Sequence, residues 1–404
     1  MLGNKEKLAV NGGQPYKTKP FPRWPHSDER EVELVSEVAR SGKWWRMTGT
    51  MVEEFEEKFA KLHNADYCLC VTNGTHAIEL ILAAMEIGEG DEVIVPAFTF
   101  ISTGTAPIYC NATPVFVDVD PVTFCMDPKA FEKAITPKTK AVIPVHIAGH
   151  ICDMDEINAI AKKHNVKVIE DAAHAHGGEY KGRKAGTLGD AAIFSFQNGK
   201  IVTCGEGGAI LTNSKELYEK AYLIHGVGRP KGDRIYQHLL LGSNYRMNEF
   251  QGAILLAQLE RLSEFNQRRE KNAALLNSLL SDVKGVVPQG RSEDSTLNTH
   301  YMFMFYYDKA QFGGMSRKDF VDALIAEGVP AFIAFPVISN TEFFRENKFR
   351  SHLRQHIDAD SFVLPNSERI AAEVVWLPHF TLLGDEQDMK EIAGAIKKIQ
   401  DCTR

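Results

Sequence analysis

Residues 189–210, GDAAIFSFQNGKIVTCGEGGAI, place one lysine, Lys200, just past an apolar strand and between glycine-rich turns. A lysine in that setting is a candidate Schiff-base nucleophile. Upstream, residues 166–178 read VKVIEDAAHAHGG, so a run of strand character ends in Glu170 and Asp171 and puts a carboxylate at the carboxyl end of a sheet. In an open α/β sheet, ligands bind at that edge. An amine there can hold an aldehyde cofactor covalently, and an anion beside it can keep a ring nitrogen protonated as an electron sink. Together the two groups point to pyridoxal 5'-phosphate.

Working outward, strand-like runs at 67–71, 92–95, 115–118, 141–145, 166–170, 191–196 and 209–212 alternate with helical patterns at 75–87, 128–134, 154–164 and 214–223. Continuous apolar strands separated by helices imply a sheet buried on both faces, hence a doubly wound, mostly parallel α/β domain. Asp127-Pro128 offers a cap followed by proline in the first turn, and Asn213-Ser214 offers caps before Glu216. A long helical pattern from Met247 to about Leu280 then leaves the sheet. Strands at 299–307, 330–335 and 374–377 with helices at 317–327 and 385–400 form a smaller α+β unit. The expected organisation is an N-terminal arm (1–25), a large cofactor-binding domain (26–265) and a small C-terminal domain (266–404).

A chain of 404 residues that is 44% hydrophobic can bury a full core. Its net charge of −7 is spread without a basic block or an acidic tail, which argues against nucleic acid and anionic membranes as partners. The first residues, MLGNKEKLAVNGGQPYK, have no signal-like apolar core, and no run is long and apolar enough to span a bilayer. The cysteines at 68, 70, 110, 125, 152, 204 and 402 lack CxxC spacing and read as reduced packing residues in the cytoplasm.

Further candidates gather at the same sheet edge. Asn73-Gly74-Thr75 joins a strand to a helix, where glycine lets the backbone approach an anion and the first-turn amides and the Thr75 hydroxyl can bind phosphate; a plain turn and cap is the alternative. Phe98, on the loop after the 92–95 strand, could stack on a pyridine ring or sit in the core. Ser195 could donate to phosphate or be an ordinary strand serine. Asp171 closes a buried run, where desolvation calls for a partner such as a protonated ring nitrogen; helix capping is the other reading. His174 and His176 with His146 and His150 lack a matching ligand set for zinc, so no metal is expected.

Asn73-Gly74-Thr75, Asp171 followed by His174, Ser195, Lys200 with GEGGA, and Asn244-Tyr245-Arg246-Met247-Asn248 together resemble the DegT/DnrJ/StrS aminotransferases, fold type I pyridoxal-phosphate enzymes, over nearly the whole chain. The resemblance implies Lys200 as the cofactor's covalent anchor and Asp171 as partner of the pyridinium nitrogen. It implies Gly74, Thr75 and Ser195 on the phosphate, with Asn244 reaching it from a second subunit of a homodimer, and Phe98 stacked on the ring. His174 stands where many members have glutamine near the phenolic oxygen. The segments WWRM (44–47), VTNGTHAIEL, PAFTFIS, EDAAHAHG, FSFQNGK with TCGEGGAI, VPQG (287–290), HYM (300–302), PAFIAF (330–335) and VWLPH (375–379) resemble most the branch of 3-amino-5-hydroxybenzoate synthases and glutamine-using cyclitol aminotransferases.

Two chemistries follow from that branch. In the first, glutamine or glutamate gives its amino group to a keto-sugar or cyclitol ketone, with Lys200 moving the proton. In the second, Lys200 removes a ring proton from an amino-dehydroshikimate-type substrate and water leaves to give an aromatic amine. A substrate carboxylate would then want a cationic clamp, for which Arg46, Arg183 and Arg229 are the candidates. A non-catalytic regulator on the same fold is a third class, and the presence of Lys200 argues against it.

Overall fold

The computed structural model describes residues 7–349 and 356–403. Residues 1–6 of the expected arm, and 350–355 and 404 of the expected C-terminal unit, lie outside the described residues. The large sheet has seven strands, β1 (Tyr67–Val71), β2 (Glu92–Pro96), β3 (Thr113–Val117), β4 (Thr139–Val142), β5 (Lys167–Asp171), β6 (Ala191–Ser195) and β7 (Gly208–Thr212), in the order β1-β7-β6-β5-β4-β2-β3. The pairs from β6 across to β3 are parallel, and β7 alone runs against its neighbours β1 and β6.

The near-continuous apolar runs have a direct cause in this arrangement. Alternate residues point to opposite faces of a strand, and both faces are covered. Cys70, Ile94, Val142, Val168, Ala192 and Phe194 join one core cluster. Their neighbours Leu69, Val93, Ala141, Ile169, Ala191 and Ile193 join another.

Local chemistry sets the helix starts. Asp127 accepts from the Lys129 N–H at 2.9 Å with Pro128 opening the helix Pro128–Ala134. Ser214 caps Lys215–His225 by accepting from the Leu217 N–H at 3.2 Å, whereas Asn213 turns away to accept from the Asp66 N–H. Asn248 and Gln251 form a reciprocal capping box at the head of the helix Glu249–Leu280. At 32 residues that helix is about 48 Å long. It packs on the helices Glu29–Ser41 and Met51–His63 at one end and on Glu386–Thr403 at the other, so it ties the large sheet to a second one.

The second sheet is antiparallel, with β8 (Val286–Pro288), β9 (Met302–Tyr307), β10 (Phe332–Ile333) and β11 (Val374–Pro378) in the order β8-β9-β11-β10. The N-terminal segment is fastened to this part of the chain. The Glu327 carboxylate accepts from the Ala9 and Tyr16 N–H groups, each at 2.8 Å, and from Lys398 Nζ at 2.9 Å. Lys17 is buried against Asp388 and Glu391. No helix among the described residues is long and apolar enough to cross a membrane.

Candidate active site

Asp171 ends β5 at the carboxyl edge of the large sheet, and its side chain is buried. Thr103 donates its hydroxyl to one carboxylate oxygen at 2.9 Å and the Ala173 N–H donates to the other at 3.2 Å. Burial pushes this carboxyl above its usual range, opposed by the Thr103 and Ala173 hydrogen bonds and by the charge of Lys200. Removing a carboxylate from water costs several kcal/mol even after relaxation. Among the described residues Asp171 has no contact ion pair to offset that cost, only the more distant charge of Lys200.

Lys200 follows the loop that leaves β6, and its N–H donates to the Gln197 carbonyl at 2.8 Å. The two carbonyls just before it are both held. Trp24 Nε1 donates to the Asn198 carbonyl at 3.2 Å, and His379 Nε2 meets the Gly199 carbonyl at 3.1 Å. The side chain is half-buried. Removal from water pushes its amine down to about 8, against the pull of Asp171. An amine so tuned is unprotonated to about a tenth at pH 7, far more than an ordinary lysine, and is therefore a competent nucleophile and base.

Beside this pair lies a helix start with open first-turn amides. The helix Gly74–Ala84 starts at the edge, with Asn73 Oδ1 taking the His76 N–H at 2.8 Å; first-turn amides have no partner within their own helix. Thr75 Oγ1 and Ser102 Oγ are 2.7 Å apart, joining the starts of the helices Gly74–Ala84 and Ser102–Tyr109 that follow β1 and β2. Two glycines keep the first of these helix starts open. A Cβ on Gly74 would stand 2.9 Å from the Ser195 Cβ, and one on Gly208 would stand 2.4 Å from the Asn73 carbonyl carbon.

One expected contact is corrected. Phe98 is fully buried in the core, its ring 6.4 Å from Phe124 and 6.1 Å from Phe335, so it presents no face to the site. The exposed ring on this loop is Phe100, at 55% exposure. The Phe100 carbonyl accepts from the Thr103 N–H, and Thr103 is the residue that reaches Asp171.

His174 is buried, with its Nδ1 accepting from the Ala148 N–H at 3.3 Å. Burial pulls it well below the usual histidine range, so it is neutral with its proton on Nε2. Its ring stacks on Tyr301 at 4.2 Å, and Tyr301 in turn lies under Lys200. Tyr301, His379, Trp24, Thr103 and Ser102 are neighbours of the site with no counterpart among the sequence candidates. Ser102 and Thr103 stand in the flagged PAFTFIS region or beside it, and Tyr301 and His379 in the flagged segments HYM and VWLPH, which the resemblance marked without giving these residues a role; Trp24 stands in none of them.

The remaining candidates fall elsewhere. His176 Nε2 meets the Ser195 carbonyl at 2.9 Å, His146 pairs with Glu170 at 3.0 Å and His150 contacts Asn298 at 3.2 Å. Arg46 is locked in a buried two-pronged pair with Glu56 at 2.6 and 2.9 Å. Arg183 pairs with Asp155 on the surface, and Arg229 with Asp233. Asn244 is exposed, on a segment whose next residue accepts from the Thr72 N–H through the Tyr245 carbonyl.

These residues fit pyridoxal phosphate. The chain presents a buried carboxylate without a contact ion pair, an amine of lowered basicity, and a helix start that tolerates no side chain at Gly74. Residues 25–397 match the model of the DegT/DnrJ/EryC1/StrS aminotransferase family. The chain is 44% identical over 385 residues to the 3-amino-5-hydroxybenzoate synthase of Amycolatopsis mediterranei, covering 94% of this chain and 97% of that protein. It is 37% identical over 412 residues to the L-glutamine:2-deoxy-scyllo-inosose aminotransferase of Streptoalloteichus tenebrarius, covering 97% of each. A crystal structure of 3-amino-5-hydroxybenzoic acid synthase superposes with a TM-score of 0.88 at 43% identity, covering 96% of this chain and 99% of that one. The chain therefore belongs to the DegT/DnrJ/EryC1/StrS aminotransferase family of pyridoxal-phosphate-dependent enzymes.

Proposed function

We propose that this enzyme transfers an amino group from glutamine or glutamate to the ketone of a cyclitol or sugar. The observation that carries the reading is Lys200, an amine lowered to about 8 at the same strand edge as the buried, unpaired Asp171 carboxylate. Bound pyridoxal phosphate supplies an aldehyde to hold the amino group and an electron-withdrawing ring. Lys200 Nζ takes the proton from the α-carbon of the donor and returns one to the carbon that becomes the product amine. Asp171 keeps a fixed negative charge for the ring nitrogen. Gly74, Thr75 and Ser195 would hold the phosphate, His174 would stand near the phenolic oxygen, and Phe100, in place of Phe98, would offer the stacking face.

Without any acceptor, glutamine or glutamate should release its keto acid in an amount stoichiometric with the chain. The 44% identity to a synthase favours a second reading, aromatising loss of water from an amino-dehydroshikimate-type ring. A protein that ignores both donors but aromatises such a substrate would establish the second reading and exclude the first.

We propose the domain limits 26–265 and 266–404 after an arm at 1–25, each larger part having its own sheet. We also propose a cytoplasmic homodimer. Cys68, Cys70, Cys125 and Cys152 are buried thiols, in keeping with a reducing compartment. Trp44, Trp45, Ile235, Tyr236, Leu239 and Leu241 expose apolar surface that a second copy would cover. Asn244 would then serve the phosphate of the other copy. Mixing inactive Lys200→Ala chains with impaired Asn244→Ala chains should restore part of the activity, because hybrid dimers regain one intact site. Hybrids that form and stay inactive would refute shared sites.

A further inference from the structure

Lys200 lies beside an aromatic column built from three distant segments. The rings of His174 and Tyr301 stack at 4.2 Å and 26°, and those of Tyr301 and His379 lie 5.9 Å apart at 22°. Lys200 Nζ sits over the Tyr301 ring, 4.5 Å from its centroid. The ring is held in contact with two nearly parallel imidazoles, which restrict its turning. Nor is the lysine backbone free to drift, because Trp24 and His379 hold the carbonyls of Asn198 and Gly199 and meet each other edge-on at 4.4 Å.

In either chemistry proposed above, the Lys200 amine must leave its covalent partner, carry a proton and return. A long flexible side chain that does this needs a place to wait. The groups around it are Asp171 on β5, His174 and His176 on the following loop, His379 after β11 and Tyr301 before β9. Burial keeps all three histidines neutral. That leaves Asp171 and the electron-rich face of Tyr301 to favour an ammonium over a free amine. We propose that Tyr301 is a catalytic residue whose ring face seats the Lys200 ammonium whenever that amine is not covalently engaged. The proposal rests on Lys200 as the reactive amine, which borohydride labelling of the loaded enzyme tests separately.

The test uses the full-length chain freed of cofactor. Lys200 is methylated with formaldehyde and cyanoborohydride across a pH series, and the extent is read by mass spectrometry of the Lys200 peptide. Tyr301→Phe keeps the ring face and should leave the apparent Lys200 pKa unchanged. Tyr301→Leu and Tyr301→Met remove the face and should lower it by about half a unit to one unit, the size expected of a partly buried cation–π contact. Water admitted beside a smaller side chain would move the value upward instead, so the direction separates the two effects. An unchanged or raised value in the aliphatic variants, or an equal fall in Tyr301→Phe, would overturn the proposal.

Discussion

An Asp171→Asn enzyme should retain its cofactor and lose about a hundredfold or more of its turnover. The substitution preserves size, and the carboxamide oxygen can still accept from Thr103 or from the Ala173 N–H, the two contacts that now orient the carboxylate. What disappears is a fixed negative charge in a buried setting, where its contact with a cationic ring nitrogen is worth on the order of a few kcal/mol. The loss falls on the rate, because the task proposed for the anion is to keep that nitrogen protonated while electrons move into the ring. Cofactor content is read from the absorbance of the purified protein and turnover from the steady-state rate. A near-normal rate with full cofactor content would remove Asp171 from the mechanism.

Lys200→Ala should cut turnover by about a thousandfold or more, since a positioned acid–base group alone contributes roughly a hundredfold to ten-thousandfold and its covalent role is lost as well. The phosphate cradle proposed at Gly74, Thr75 and Ser195 is untouched, so the cofactor should still bind without a covalent link. Small amines such as methylamine, added from solution, should restore part of the rate by serving as the missing base. Turnover within tenfold of the native enzyme would assign the proton transfer to another group.

The site was legible in the sequence where local pattern and topology coincide. Strand runs buried on both faces show as unbroken apolar stretches, and Asp171 and Ser195 mark the ends of two of them. Depth was harder to read. Phe98 and Phe100 stand two apart in FTF, and only the folded loop reveals that the first is buried and the second exposed. Strand limits moved for reasons of backbone chemistry. The strand expected at 141–145 ends at Val142, ahead of Pro144, which cannot donate to a ladder. The one expected from 115 begins at Thr113 and includes Pro114, tolerated because β3 is an edge strand. The strand expected from 299 begins only at Met302, after His300 takes a left-handed backbone with φ of 48°.

The helices Glu29–Ser41 and Met51–His63 have no counterpart among the expected elements. The first buries little more than Leu34 and Val38, and the second buries Val52, Phe55 and Phe59 in a sequence otherwise rich in glutamate and lysine. The part played at the site by Trp24, Tyr301 and His379 was not legible for a different cause, although HYM and VWLPH were flagged by resemblance. Each belongs to a segment far from Lys200 in sequence, and only the packing of the arm and the second sheet against the Lys200 loop brings them together.

The central claim is that Lys200 carries the cofactor, and borohydride reduction of the yellow, loaded enzyme tests it most directly. Reduction should fix the cofactor irreversibly to the chain, and digestion should recover it on the peptide that contains Lys200 and on no other. Labelling of a different lysine, or release of all the cofactor on denaturation after reduction, would contradict the account.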